Sequence, residues 1–148
     1  MRIAAADYER LKAFFAWTTA NLFPPGPTLP PDQYPLAVLN RTEARSPSNA
    51  RAGLAMAIGD IIEMSEGFAA GQVAAIDAAL EAEGIITLSA VRARFWSRIR
   101  RVLERGTIRG ERDYHAVRNV VEALPEEEQE RAWRLLAAFE EKAARKGK

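Results

Sequence analysis

Apolar residues recur every three or four positions through most of the chain, which is the spacing of helices that bury one face. Six segments show this pattern, and together they cover well over half of the sequence. Their approximate ranges are 7–22, 48–67, 71–83, 89–106, 110–124 and 125–146. The second starts near Pro47 or Ser48, where proline at the first helical position or serine as a cap would suit the first turn. The pattern predicts an all-α fold: a single-domain bundle of about six helices spanning residues 1–148. Within it, we expect residues 1–46 to wrap a bundle formed by residues 47–145.

A proline-rich segment separates the first two predicted helices. Six of the eight prolines fall between residues 24 and 35, which disfavours a helix there and favours an extended conformation. Three of them have PxxP spacing, but no arginine or lysine flanks them, so we expect a strap over the helices and not a ligand for a proline-binding domain. From Pro35 to Leu39 a short helix and an extended segment are both compatible with the sequence.

Glycines mark several predicted helix boundaries. Gly67, Gly84 and Gly106 follow the last apolar positions of three helices, where glycine commonly ends a helix. Gly53 and Gly59 lie inside the second helix, where each costs about 1 kcal/mol relative to alanine. We therefore expect these two positions to allow close approach of another helix.

Composition narrows the classes of function. The chain of 148 residues is 48% hydrophobic and 28% charged, which is the balance of a globular domain. Its net charge is only +1, so any nucleic-acid binding would come from a local patch. Cysteine is absent, which excludes disulfides, cysteine-bound metals and thiol catalysis. No signal-peptide pattern and no run of 18 apolar residues is present, so the expected location is cytoplasmic.

The sharpest chemical pattern is a set of four arginines, Arg94, Arg98, Arg101 and Arg105, here called the arginine stripe. Their spacing places them on one flank of a single predicted helix over residues 91–105. Such a stripe would bind phosphate groups or pair with acidic residues. Residues 92–118 carry a local net charge of +6 and residues 122–141 carry −5, so adjacent helices would match in charge. Arginine outnumbers lysine 17 to 4, as is typical of a GC-rich bacterial genome, which weakens the arginine count as a sign of phosphate recognition.

Aromatic residues and the single histidine supply further candidates for contact. Trp17 points away from the apolar face of the first helix and would either be covered by a second layer or contact a partner. Trp96 and Tyr114 would add stacking surfaces near the arginines. His115 shares a predicted helix face with Glu111, and we expect it to lie at the surface.

Two carboxylates, Asp60 and Glu63, are the weak candidates for a metal site. They lie three residues apart on the second predicted helix, and paired carboxylates can hold magnesium for phosphate chemistry. No second carboxylate pair with suitable spacing completes the site. We therefore expect no metal and no other cofactor, and ion pairs between these carboxylates and arginines of a neighbouring helix.

The sequence thus favours a small non-enzymatic protein-interaction or regulatory module that self-associates. One alternative is nucleic-acid or phosphate-ligand binding through the arginine stripe, and a further alternative is a carboxylate-metal hydrolase at Asp60 and Glu63. A protein partner or a second copy is expected over nucleic acid, with no membrane and no identifiable small-molecule ligand. The residues expected to bind a ligand or partner are Arg94, Arg98, Arg101, Arg105, Trp17, Trp96, Tyr114 and His115.

Overall fold

Every regular element of the chain is a helix in the computed structural model, which describes residues 1–147. Eight α-helices lie in this range: α1 (Tyr8–Asn21), α2 (Pro35–Arg45), α3 (Pro47–Met64), α4 (Ala70–Ala82), α5 (Leu88–Phe95), α6 (Ser97–Arg105), α7 (Glu111–Val120) and α8 (Glu126–Lys146). The predicted all-α class is confirmed. The count differs from six because α2 is a helix of its own and because one predicted helix is divided into α5 and α6.

Helix α2 begins at Pro35, the last proline of the proline-rich segment. Pro35 occupies the start of the helix, where its missing N–H group costs nothing and its fixed φ angle suits the first turn. The helix ends at Arg45, and Ser46 is extended, as expected for a residue that precedes a proline. The helical alternative for residues 35–39 is therefore correct.

The described residues gather into two compact units, and each is described by itself. The first comprises residues 1–67 and 75–87; the second comprises residues 68–74 and those from Leu88 onward. In the first unit, α1, α2 and α3 pack on one another. Its most deeply buried apolar side chains include Leu11 and Phe14 of α1, Leu54 and Ile58 of α3, and Leu80 of α4. The single domain over residues 1–148 remains a prediction, and its last residue lies outside the described range.

Helix α3 begins as predicted, with Pro47 in its first turn. The hydroxyl of Ser46 caps it by accepting a hydrogen bond from the Asn49 backbone N–H at 3.3 Å. The expectation for Gly53 and Gly59 is wrong. A Cβ atom added at either position would meet no atom of the described chain within 4 Å beyond the helix's own backbone and its immediate neighbours. No neighbouring helix approaches these glycines closely enough to require them.

The second unit is built mainly from α5 to α8, with the start of α4. Helix α7 packs against α5, α6 and α8, and the buried side chains at its centre include Ile99, Val102, Val117 and Leu136. Gly106 ends α6 as predicted. It adopts the left-handed conformation with φ +76°, and its N–H donates to the Val102 carbonyl at 2.9 Å.

The helix predicted for residues 89–106 is broken at Trp96, and the reason is burial of the indole. In a continuous helix Trp96 would lie about 140° around the axis from Val91, at the edge of the apolar stripe. Extended backbone at Trp96, with φ −70° and ψ 113°, separates α5 from α6, and the side chain is only 3% exposed. The break removes the helical hydrogen bonds that would span Trp96, and burial of the large indole surface offsets that loss.

In the part of the chain that the structure describes, no helix combines the length and the apolar character needed to cross a membrane.

Candidate functional site

The arginine stripe does not lie on a single helix. Arg94 belongs to α5, while Arg98, Arg101 and Arg105 belong to α6, on the other side of the break at Trp96. The predicted continuous flank is therefore wrong, because the helical rotation that would align the four side chains is interrupted.

Two of the stripe arginines share one carboxylate. Arg98 Nη1 lies 2.9 Å from Asp113 Oδ1, and Arg105 Nη2 lies 3.0 Å from Asp113 Oδ2. Arg98 and Arg105 are two turns apart on α6, and Asp113 lies in the first turn of α7, so the pairing joins these two helices. Arg105 also donates to the Thr107 carbonyl at 2.9 and 3.1 Å. We call these three charged residues the Asp113 cluster.

The arginines keep Asp113 ionised. Burial is the largest single influence on its pKa and raises it, but the hydrogen bonds from Arg98 and Arg105 and the positive charges of these two residues together outweigh burial. The pKa of Asp113 is therefore lowered from its ordinary value of 3.8. Phosphate could reach these two guanidinium groups only by competing with a carboxylate that already occupies both.

The other two stripe arginines have different surroundings. Arg101 is exposed, and its Nε donates to the Ser97 carbonyl at a long 3.4 Å. Arg94 is also exposed, with its guanidinium carbon 5.0 Å from the centroid of the Phe95 ring. The stripe thus contains two arginines committed to Asp113 and two exposed ones on different helices.

The basic segment pairs with the acidic helix α8, as expected, but through Arg100, which does not belong to the arginine stripe. Arg100 Nη1 lies 2.5 Å from Glu128 Oε2, and the same guanidinium donates to the Ala93 carbonyl. From the opposite direction, Arg131 of α8 donates to the Leu103 carbonyl. These contacts join α6 to α8 and α6 to α5, and they give Arg100 a structural role.

Tyr114 and His115 occupy neighbouring positions on α7 with different contacts. The Tyr114 hydroxyl donates to the Glu140 carboxylate, and its ring stacks on Phe139 with centroids 5.1 Å apart. That hydrogen bond is the main cause of the raised pKa of Tyr114, with burial second. His115 is exposed and meets the Tyr114 ring edge-on at 5.4 Å. Within residues 1–147, no hydrogen bond joins His115 to Glu111.

The two tryptophans predicted as contact residues are both engaged within the fold. Trp17 is half-buried, and its Nε1 donates to Glu83 Oε2 at 2.6 Å. Trp96 is buried, and the Arg92 guanidinium lies 5.3 Å from its ring centroid. In this conformation Trp96 presents no open face on which a base could stack.

The paired carboxylates Asp60 and Glu63 are both exposed on α3. Neither forms an ion pair with another residue in the range 1–147, so the expected pairing with arginines of a neighbouring helix is wrong. Both side chains face solvent and need no counter-charge. The same range contains no group of three or more histidine, cysteine, aspartate or glutamate side chains able to hold a metal ion.

Sequence reasoning missed the most exposed tryptophan. Trp133 on α8 is 42% exposed, and the Arg118 guanidinium of α7 lies 5.1 Å from its ring centroid. The signal was present, because Trp133 falls outside the apolar stripe that contains Ala132, Leu136 and Phe139.

Comparisons of the chain with protein-family models, with curated proteins and with solved structures found no match.

Proposed function

We propose that this protein is a small non-enzymatic protein-interaction module whose contact surface centres on Trp133 and Arg118. The observation that carries the proposal is the exposure of 42% of a tryptophan side chain on a helix of 21 residues. Tryptophan and arginine are the residue types most enriched among the side chains that dominate binding energy at protein interfaces. Association would remove the exposed part of the indole from water, and this burial of apolar surface would stabilise the complex. We place this activity in the cytoplasm.

The surroundings of Trp133 suit an interface. The Arg118 guanidinium over the ring holds one face of the indole, so less side-chain freedom is lost on binding. Ala137, one turn further along α8, is exposed and small, and leaves the indole accessible. Glu130, three residues before Trp133 on α8, and Arg134, the residue after it, pair with each other at 2.9 Å. An aromatic centre with a charged rim is the usual composition of a protein interface.

The partner that we favour is a second copy of the chain. A two-fold interface brings the same patch of both subunits together, so the patch has to be complementary to itself. This patch carries a cation, Arg118, and a carboxylate, Glu130, close to the same indole. In a two-fold pair, each cation would face the carboxylate of the other copy, with the two indoles buried between them.

The test is the oligomeric state of the full chain, measured by light scattering and sedimentation over a range of concentrations. We expect a dimer that Trp133→Ala converts to monomer. Met56→Ala is the matched control, because Met56 of α3 is 74% exposed and its truncation removes apolar surface elsewhere. Circular dichroism verifies that both variants are folded. A wild-type protein that is strictly monomeric and captures no defined partner in a pull-down contradicts the proposal.

A further inference from the structure

A cavity of about 440 Å³ opens on the second unit, between the loop before α7 and the last turns of α8. Three cations line it. Arg109 comes from the loop, and Lys142 and Lys146 come from α8, one turn apart and therefore on the same face of that helix. Glu111 is the one carboxylate in the lining, so the lining carries a net charge of +2.

The three cations are available to a ligand. All three are exposed, and within residues 1–147 none of their side chains forms an ion pair or a hydrogen bond. They differ in this from Arg98 and Arg105 of the same unit, which are held by Asp113. Cations that converge on one cavity without a carboxylate partner favour an anion there.

The cavity also has an apolar part. Ile108, only 8% exposed, and the half-buried Phe139 contribute to its lining, and the Phe139 ring is held by stacking on Tyr114. The loop side is open at Gly110, where an added Cβ atom would meet nothing within 4 Å. The cavity therefore combines an apolar surface with a cationic rim, which matches a ligand that has an apolar body and an anionic head.

We propose that this cavity binds a phosphate monoester with an apolar or aromatic body. A phosphate monoester carries a charge of about −1.5 to −2 at pH 7, which balances the net charge of the lining, whereas a carboxylate supplies a single negative charge. The forked guanidinium of Arg109 and the two ammonium groups together can donate to all three terminal phosphate oxygens.

Calorimetric titration of the full chain with phenyl phosphate at low salt tests the proposal, with inorganic phosphate and benzoate as comparison ligands. We expect phenyl phosphate to bind at least about five-fold more tightly than either, because it alone supplies both the dianion and the ring. Equal affinity for inorganic phosphate would overturn the assigned apolar contact, and equal affinity for benzoate would overturn the assigned phosphate. Undetectable binding of phenyl phosphate overturns the site altogether.

Substitutions of lining residues show where the probe binds. Arg109→Gln, Lys142→Gln and Lys146→Gln should each weaken phenyl phosphate binding by about five-fold. Arg145→Gln is the matched control, because it removes the same charge next to Lys146 from a residue that does not line the cavity. An equal loss in Arg145→Gln would show a general charge effect and refute the site.

A substitution at Gly110 gives a second test that does not depend on removing a cation. Gly110 precedes the first residue of α7, has φ −159° and provides no side-chain cap. Asparagine and aspartate both suit this helix-capping position, so neither should disturb folding. Gly110→Asp places a carboxylate beside the three cations and should weaken phenyl phosphate binding several-fold more than Gly110→Asn. Equal binding by the two variants argues against the cavity as the site.

Discussion

The Asp113 cluster provides the most quantitative prediction for this fold. Asp113→Asn removes the carboxylate shared by Arg98 and Arg105 and leaves two guanidinium groups facing a neutral amide. The three side chains are 17%, 27% and 26% exposed, so solvent screens their interactions only in part. After a discount for this exposure, each charge-assisted hydrogen bond contributes about 1 kcal/mol. Asp113→Asn should therefore lower the free energy of unfolding by about 2 kcal/mol, the sum for both bonds.

Urea denaturation at pH 7 measures this change, followed by far-ultraviolet circular dichroism and by tryptophan fluorescence. Arg98→Gln and Arg105→Gln should each cost about 1 kcal/mol. The double variant Asp113→Asn with Arg98→Gln should cost hardly more than Asp113→Asn, because both changes remove the same bond. Glu141→Gln is the control, since Glu141 and its partner Arg145 are 72% and 77% exposed and lie outside the patch around Trp133. We expect it to change stability by only a few tenths of a kcal/mol.

The pH dependence gives an independent test with a definite sign. The pKa of Asp113 is lower in the folded protein than its ordinary value of 3.8. Its stabilising contribution is therefore complete above that value and is lost as pH falls through the lower folded pKa. The difference between wild type and Asp113→Asn should stay constant from neutral pH down to about pH 5 and shrink below about pH 4. A difference below about 0.5 kcal/mol at pH 7, or one that is unchanged at pH 3, refutes the reasoning.

Other positions give further expected outcomes. Gly106→Ala should lower the free energy of unfolding by about 1 kcal/mol, because Gly106 has φ +76°, whereas Gly53→Ala should raise it by about 0.5 to 1 kcal/mol within α3. Urea denaturation that shows the same sign for both would contradict this. Ser46→Ala should cost about 1 kcal/mol through loss of the α3 cap, while Ser46→Asn should retain most of that stability. Burial and the hydrogen bond to Glu43 raise the pKa of Tyr8. Ultraviolet titration of wild type and Tyr8→Phe should therefore show that Tyr8 is the last tyrosine to ionise as pH rises. Ionisation of Tyr8 before the other tyrosines would argue against that bond.

The candidate site could be anticipated from the sequence only in its parts. The excess of arginine in residues 92–118 is visible in the sequence. The sequence does not show which of these arginines pair with Asp113, which one pairs with Glu128 and which side chains are exposed. Arg98 and Asp113 are fifteen residues apart, and Arg100 and Glu128 are twenty-eight apart. Their pairing requires the packing of α6 against α7 and α8, which local periodicity does not specify. The cationic cavity has the same origin, because Arg109 meets Lys142 and Lys146 only where the loop and the end of α8 adjoin.

The sequence by itself determined the helical class, the start of α3 at Pro47 and the end of α6 at Gly106. These features depend on the conformational limits of single residues and on a repeat of three to four positions, which act over one or two turns. Tertiary structure decided the break at Trp96, the open surroundings of Gly53 and the choice of Asp113 as the partner of two arginines. Each of these features depends on which residues, distant in sequence, lie next to Trp96, Gly53 or Asp113 in the folded chain. Packing and solvent access at these positions decide whether a side chain is buried, whether a charge is paired and whether a break in a helix is tolerated.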